Sequence, residues 1–533
     1  MKKNLTLFLF SFPIILFAQQ TTIPHNHAYY YGFEAELNKP ENDFHTSIRP
    51  FLEGEVRAIT NYDSLSRFGY NDKKFANSKI GRKFLKQYFF QTQGEDYFLE
   101  LSPLFDLQYG KDFANDSSLS VNTRGVQVSG SIGKKFSFYS SFYENQAKFP
   151  DYISEYVKEK EVVPGQGRIK TFKGSSFDFS QAFGYISYTP TKHVNFQFGH
   201  GKNFIGDGYR SLLLSDFAYS YPFLKITTTV WKIRYMNLFT SFQSDISLVD
   251  NLASYPRKYG SFHYLDITIA KRIQLGLFEG IIWQGSDSTG KRGIDINYIN
   301  PIIFYRPVEF SLNSADNAIM GVNLKIKALK YTSVYGQFVM DDMNLSKSKE
   351  GKGFFQQKYG YQIGIKSFNL FGVKNLYVQA EYNQVRPYTY AHKKQLQNYA
   401  HYNEALAHPL GANFREAVGI IGYRWKDLSA ELKINYAVYG ADTGMYSYGQ
   451  NIFISDHNAV GGIYSFGNTI GQGVKTTLVY AQFRLSYLVN PKTNWNIFIE
   501  YTSRKQSTEF AERSNSLFNI GMRTSLRNLY YDF

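Results

Sequence analysis

The sequence predicts an all-β fold, a transmembrane antiparallel β-barrel of about 18 strands preceded by a small N-terminal periplasmic segment with a short helix. Three observations carry this expectation: strand-length runs that alternate apolar and polar residues, connections that alternate tight and long, and an unusual composition. The 533 residues are 18% aromatic, with 44 Tyr and 47 Phe, yet mean hydropathy is only −0.35. A barrel reconciles the two, because its outer face and interfacial girdles take aromatic side chains while its lumen and loops stay polar. Past the N-terminus no apolar run reaches the roughly 18 residues a membrane helix needs, so a membrane protein of this sequence must cross with strands.

The chain opens with Lys2 and Lys3, an apolar run over residues 5–17 and the small residue Ala18, the pattern of a cleaved signal peptide over 1–18. Residues 19–93 then form an N-terminal periplasmic segment and 94–533 the outer-membrane barrel. Within the first segment the period-3.6 pattern predicts a helix over 79–90, with Asn77 or Ser78 as N-cap. Ile80, Phe84, Leu85, Tyr88 and Phe89 share one face, and Lys79, Arg82, Lys83 and Lys86 the other. Such a helix suits packing under the barrel or contact with anionic headgroups, and a merely solvated basic face fits equally well. The formal charge of +15 fits lipopolysaccharide phosphates or acidic polysaccharide, and this compartment excludes nucleic acid as a partner. The absence of Cys is compatible with an oxidising compartment without proving it.

From Glu95 onward the period is two. Tyr97, Leu99, Leu101, Phe105, Leu107 and Tyr109 alternate with Asp96, Glu100, Ser102, Asp106 and Gln108, and runs over 320–327, 428–438 and 479–487 repeat the pattern. Tight turns are expected at 133–135, 190–193, 271–272, 372–375 and 490–493, and long connections over 146–181, 200–223, 284–317, 386–413 and 440–475. Short periplasmic turns with long external loops are the rule for bacterial barrels, and an even strand count leaves both termini periplasmic. Phe533 is expected to end a bulged closing strand, since Leu529, Tyr531 and Phe533 are out of phase with Phe518, Ile520 and Met522.

Inward positions carry Glu100, Asp106, Lys325, Lys327, Glu381, Glu431, Lys433, Arg484 and Glu500, which predict ion pairs across a hydrated interior. The segment 298–307 is too apolar for water and is expected to fold into the barrel mouth or to cap it, which argues against a wide-open porin. The glycine-rich stretch 199–210 reads as a tight structural loop or as an anion nest with Lys202 and Arg210. The rings and polar groups of 386–415 suit sugars, whose apolar faces stack on aromatics. His392, His401 and His408 match no metal motif, and His200, Asp207 and Ser211 do not form a nucleophile elbow, so neither a cofactor nor an enzyme is expected.

Four strings carry a resemblance: GDGYRSLLLSD at 206–216, NPIIFYRPVEF at 300–310, RPYTY at 386–390 and HPLGAN at 408–413. They resemble the Wzi-like capsule-assembly barrels of the outer membrane, and within them members linked with gliding motility. The resemblance implies an 18-stranded barrel with a small helical periplasmic piece and no enzymatic role. It implies partners in membrane lipid and lipopolysaccharide, in surface polysaccharide, and in envelope or motility-machinery proteins. The candidate polysaccharide-binding residues are Arg210, Asp216, Tyr305, Arg306, Glu309, Arg386, Tyr388, Tyr402 and Arg415, the tyrosines stacking and the charged groups bonding hydroxyls or uronates. The alternative is a channel or transporter for a small solute.

Overall fold

The computed structural model describes residues 20–67, 78–172, 174–244, 255–287, 290–301, 316–343, 345–443 and 446–533. The expected signal peptide lies outside them. Among the described residues 18 strands close into one antiparallel barrel. They are β1 (Tyr97–Asp112), β2 (Ser117–Ile132), β3 (Phe136–Lys148), β4 (Ser176–Thr191), β5 (Val194–Gly201) and β6 (Tyr221–Val230). Next come β7 (Ile233–Gln243), β8 (Arg257–Ala270), β9 (Ile273–Gln284), β10 (Asn317–Leu329), β11 (Thr332–Met343) and β12 (Gln357–Phe368). The last six are β13 (Leu376–Val385), β14 (Phe414–Trp425), β15 (Leu428–Ala441), β16 (Val474–Asn490), β17 (Trp495–Ser507) and β18 (Glu512–Arg523). All five expected tight turns fall between strands at one end of the barrel, and all five long connections at the other. Turns at 231–232, 330–331 and 426–427 complete the short end, which is the periplasmic one.

Alternation sorts the two faces as a bilayer requires. On β10, Val322, Leu324 and Ile326 are exposed on the outer wall, while Lys325 and Lys327 are buried inside. Trp231, Trp425, Phe113 and Phe510 are exposed at strand ends, where interfacial girdles form.

The chain's own segments occupy much of the lumen. Helix α1 (His27–Leu37), capped by Asn26, enters it, and Ile48–Arg49 pairs with Phe204–Ile205 of the 202–220 loop. Thr46 and Ser47 hydrogen-bond Asp207 and Asp266, Glu34 pairs with Arg49 at 3.0 Å and with Lys366, and the backbone of Phe44 accepts from Gln274 at 2.9 Å. The first part of the segment expected on the periplasmic side, from α1 to Arg49, therefore lies inside the barrel. Helices α2 (Glu53–Ile59) and α3 (Tyr62–Arg67) follow. Lys325 lies 3.5 Å from Asp207, and Lys433 3.0 Å from Asp532, so these inward charges meet the plug rather than water. Only some pairs, such as Arg484 with Glu500, join the wall to itself.

Helix α4 (Lys79–Lys86), capped by Ser78 on the Gly81 amide at 3.0 Å, ends before Phe90, which begins a four-residue strand. Ile80 and Phe84 are exposed, and Asn490 donates to the carbonyls of Phe84 (2.9 Å) and Gln87 (3.0 Å), tying the helix to the periplasmic rim.

The C-terminus corrects the expected closing strand. β18 pairs with β1 only from Leu517↔Asp112 to Arg523↔Asp106. Thr524 exchanges hydrogen bonds with Phe105, and the chain then leaves the wall and turns inward. Pro103, which has no amide hydrogen to donate, sits where pairing breaks off, and Phe90–Gln93 takes over along Phe98–Leu101. Residues 524–533 run up the lumen to helix α5 (Asp151–Lys160), where Tyr152 donates to the Tyr531 carbonyl at 2.9 Å and the Phe533 ring lies 5.0 Å from Tyr156.

The apolar 298–307 segment is a second correction. Tyr298 packs 5.0 Å from Trp283 and its carbonyl accepts from Ser261, while the Pro301 carbonyl accepts from Asn237 at 3.3 Å. Those three residues face outward, so 298–301 lies on the outer wall, not in the mouth; the remainder lies outside the described residues. On that wall Tyr298 is buried against Trp283, and Ile299, 41% exposed, has a bilayer to face.

Asp532 is the deepest tie of the tail, fully buried between Arg210 (3.2 Å) and Lys433 (3.0 Å). Asp532→Ala leaves two buried cations short of a partner and is expected to destabilise the fold by about 3 kcal/mol or more. The temperature at which detergent-solubilised protein loses its compact electrophoretic mobility checks this.

Candidate functional site

The site is built from three loops at the extracellular end. The 202–220 loop dips into the lumen because its glycines allow close approach: a Cβ on Gly208 would meet the Glu381 carboxylate at 2.4 Å. The Tyr209 and Arg210 amides donate to Glu381 at 2.8 and 3.1 Å, so the loop backbone does cradle an anion, but one supplied by β13. Lys202 donates to the carbonyls of Gly165 and Asp216.

The 386–413 connection lies over this loop as a cap. Tyr390 and Tyr399 donate to the Leu212 and Leu213 carbonyls at 2.7 and 2.6 Å, and the Leu406 carbonyl accepts from the Ser215 amide at 2.8 Å. Leu212, Leu213, Leu214, Tyr390, Tyr399 and Leu406 form a buried apolar centre between the two loops. Asn413 then fastens the cap to the third loop, donating to Gly440 and Gln472 at 2.9 Å each and accepting from Gly471 at 2.7 Å. Tyr388, Tyr390, Tyr402, Asn403 and Asn413 all have positive φ, a conformation that side chains larger than glycine rarely adopt. Such strain persists only where surroundings over-determine it, and it costs on the order of 1–3 kcal/mol per residue.

The histidines of the cap serve separate partners. His401 accepts from the Gln243 amide at 3.1 Å through Nδ1 and donates to the Ser220 carbonyl through Nε2, and burial pushes its pKa down to about 3. His408 lies 2.7 Å from Glu416, and burial lowers the His392 pKa to about 4. Among the described residues no cluster of His, Asp or Glu is arranged to hold a metal ion.

The nominated residues divide sharply. Arg210 is buried against Glu416 (2.8 Å) and Asp532 (3.2 Å), with its guanidinium 4.9 Å over the Tyr209 ring. Asp216 accepts from Tyr530 at 2.6 Å and Asn528 at 2.9 Å and faces His25 at 3.1 Å. Burial alone would raise the Asp216 pKa, but His25, His27 and Lys202 hold it well below the usual carboxylate range. These two residues meet through Tyr530 inside the plug. Tyr388 is buried, donating to the Ser447 carbonyl at 3.0 Å, and half-buried Arg386 donates to the Gln357 and Asn468 carbonyls. Tyr402 stands apart, its ring 4.8 Å from Tyr219. Arg415 points outward from β14 and donates to Gln384 at 3.1 Å, because alternation turns its neighbour Glu416 into the lumen. Tyr305, Arg306 and Glu309 lie outside the described residues.

The exposed aromatic groups lie elsewhere, on the 442–473 loop, where Tyr464 is 74% and Tyr446 60% exposed. Phe466 and Ile463 are partly exposed beside them, with Phe466 seated 5.1 Å from Phe354 and Lys347 6.0 Å from its ring. Arg386 reaches this loop from beneath through the Asn468 carbonyl. The run IYSFGN at 463–468 is the sequence signal for this surface: aromatic residues inside a glycine-rich stretch too short and irregular for a strand.

A family model described as "Capsule assembly protein Wzi" matches residues 86–515. No curated protein matches the chain. Among solved structures it is similar to Pseudomonas aeruginosa OprD, at 9% identity over 80% of this chain and 94% of that one, with a TM-score of 0.41. Acinetobacter baumannii OccAB2 matches at 9% identity over 80% and 97%, TM-score 0.43. Pseudomonas aeruginosa OccK2 (OpdF) in complex with glucuronate matches at 8% identity over 81% and 98%, TM-score 0.44. These likenesses concern the barrel fold alone.

The cap depends on two phenol donors. Replacing Tyr390 and Tyr399 together by Phe leaves two buried carbonyls without those donors, and each is expected to cost about 1–3 kcal/mol. Faster protease cleavage within 386–413 on intact cells is the measurement, with strand content unchanged.

Proposed function

We propose a function from one premise: the chain belongs to the capsule assembly protein Wzi family. It is a capsule-related barrel of the bacterial outer membrane. In our reading it is a non-enzymatic surface protein that holds exported polysaccharide on its extracellular cap. The observation that carries this is the cap itself, fixed in place by Tyr390, Tyr399 and Asn413 and presenting Tyr464, Tyr446 and Phe466 outward. Rigid aromatic faces beside lysines suit a polymer of sugar rings carrying acidic groups, because apolar ring faces stack and carboxylates find cations. Arg386 and Tyr388 support that surface from below, Tyr402 extends it beside Tyr219, and Arg415 on the outer wall suits lipopolysaccharide phosphates. Arg210 and Asp216 act by holding the loop that the cap rests on.

The occupied lumen favours this reading over a solute channel. Anchored polysaccharide also gives a route to adhesion, and in this reading the protein supports gliding or surface attachment, together with envelope partners that the chain itself does not name.

Replacing Tyr464 and Phe466 together by Ala is expected to weaken polymer retention by about tenfold, corresponding to ~1.4 kcal/mol. Polysaccharide kept on cells is compared with polysaccharide shed to the medium, at matched barrel abundance. Retention equal to wild type removes this surface from the account, and a deletion strain that spreads normally removes the motility link.

A further inference from the structure

The plug leaves a cavity of about 270 Å³ between the N-terminal segment and strands β1–β6. Its lining runs from the periplasmic turn at Pro491–Thr493 and Tyr88 up to His200 and Lys202. That size approaches the lower bound of ~300 Å³ usual for small-ligand sites.

Three donors in its wall lack acceptors among the described residues: Nε2 of Gln197, Nδ2 of Asn203 and Nε of Arg527. Gln197 on β5 is 2% exposed and its Nε2 has no hydrogen-bond partner among the described residues. Arg527, on the inward C-terminal tail, donates only to the side-chain oxygens of Gln181 (2.5 Å) and Asn145 (3.4 Å), and its Nε is buried without a partner. Among the described residues Arg527 makes no ion pair. Arg527 as a whole is half-buried, but native structures seldom leave buried donors such as its Nε and the Gln197 Nε2 unmet. The shape of the wall is also specific. The Tyr139 and Tyr185 rings stack at 5.7 Å, and Tyr143 lies 4.8 Å beneath the Arg527 guanidinium. These rings, with Gln127 nearby, give flat apolar faces next to hydrogen-bonding groups; the same lining carries Glu53, Glu100 and Asp216, and Glu100 already accepts from Ser129 at 2.6 Å.

We propose that this cavity is a binding site, reached from the periplasmic side, for a small acidic sugar of the uronate class. The carboxylate answers the unpaired Arg527, ring hydroxyl oxygens accept from Gln197, and the sugar ring packs on the tyrosines. The inference is independent of the extracellular reading, because it rests on the lumen alone.

Isothermal titration of the purified full-length protein in detergent, with glucuronate, glucose and inorganic phosphate as probes, tests it. Saturable glucuronate binding is expected, with glucose and phosphate at least tenfold weaker. Arg527→Gln is expected to weaken glucuronate at least tenfold, and Gln197→Leu, which leaves the tail untouched, gives the same direction should the first variant fail to fold. The Tyr464→Ala, Phe466→Ala protein, altered only on the cap, keeps wild-type glucuronate affinity. No glucuronate binding, binding matched by phosphate or glucose, or affinity unchanged in the folded lumen variants overturns the proposal. Loss of binding in the cap variant instead moves the site to the extracellular surface.

Discussion

The buried carboxylate of Asp532 joins three parts of the chain that are far apart in sequence. It takes Arg210 from the 202–220 loop, Lys433 from the wall and the Tyr209 hydroxyl at 2.7 Å, while Glu416 holds the other side of Arg210. Each of these ions would be expensive to bury alone, and together they are tolerable only in one arrangement. That arrangement draws the C-terminal tail into the lumen, and Tyr530 carries the constraint onward to Asp216 and His25. The N-terminal segment is locked by a matching set, Glu34 with Arg49 and Lys366 and Asp207 with Lys325. The wall thus defines a space, and the charge network decides what fills it.

Cap and plug follow from one another. The apolar triplet Leu212 to Leu214 lies between the lumen network and the outer cap, so the loop is held by ions on one side and by Tyr390 and Tyr399 on the other. Strained tyrosines with positive φ are affordable there because so many contacts agree on their positions.

The wall was legible in the sequence because period-two patterning reports directly which side of a sheet a residue takes. Lys325 and Val322 sort to opposite faces whatever fills the barrel. The same rule explains where legibility ended. Leu529, Tyr531 and Phe533 alternate like a strand, but alternation has no means of marking that Asp532 has Arg210 as its partner, some 320 residues earlier. The 298–307 stretch was read as too apolar for water, yet a barrel offers two water-poor places, and Ser261, Asn237 and Trp283 put its described part, 298–301, on the outer wall. For the candidate site, charge and aromatic content pointed to the 199–216 and 386–415 stretches and not to the 442–473 loop, and they did not separate side chains that face solvent from those that hold the loops. Arg210, Asp216 and Tyr388 are occupied within the protein, while Tyr464 and Phe466 are on the surface because glycine-rich backbone around them leaves little to bury them.

The chain's own ends and loops close the lumen to free passage. Planar-bilayer conductance of the purified full-length protein addresses this closure most directly. The account predicts a nearly silent membrane, with steady conductance appearing only when the tail anchored by Asp532 is removed. A stable open conductance from the intact protein would contradict it.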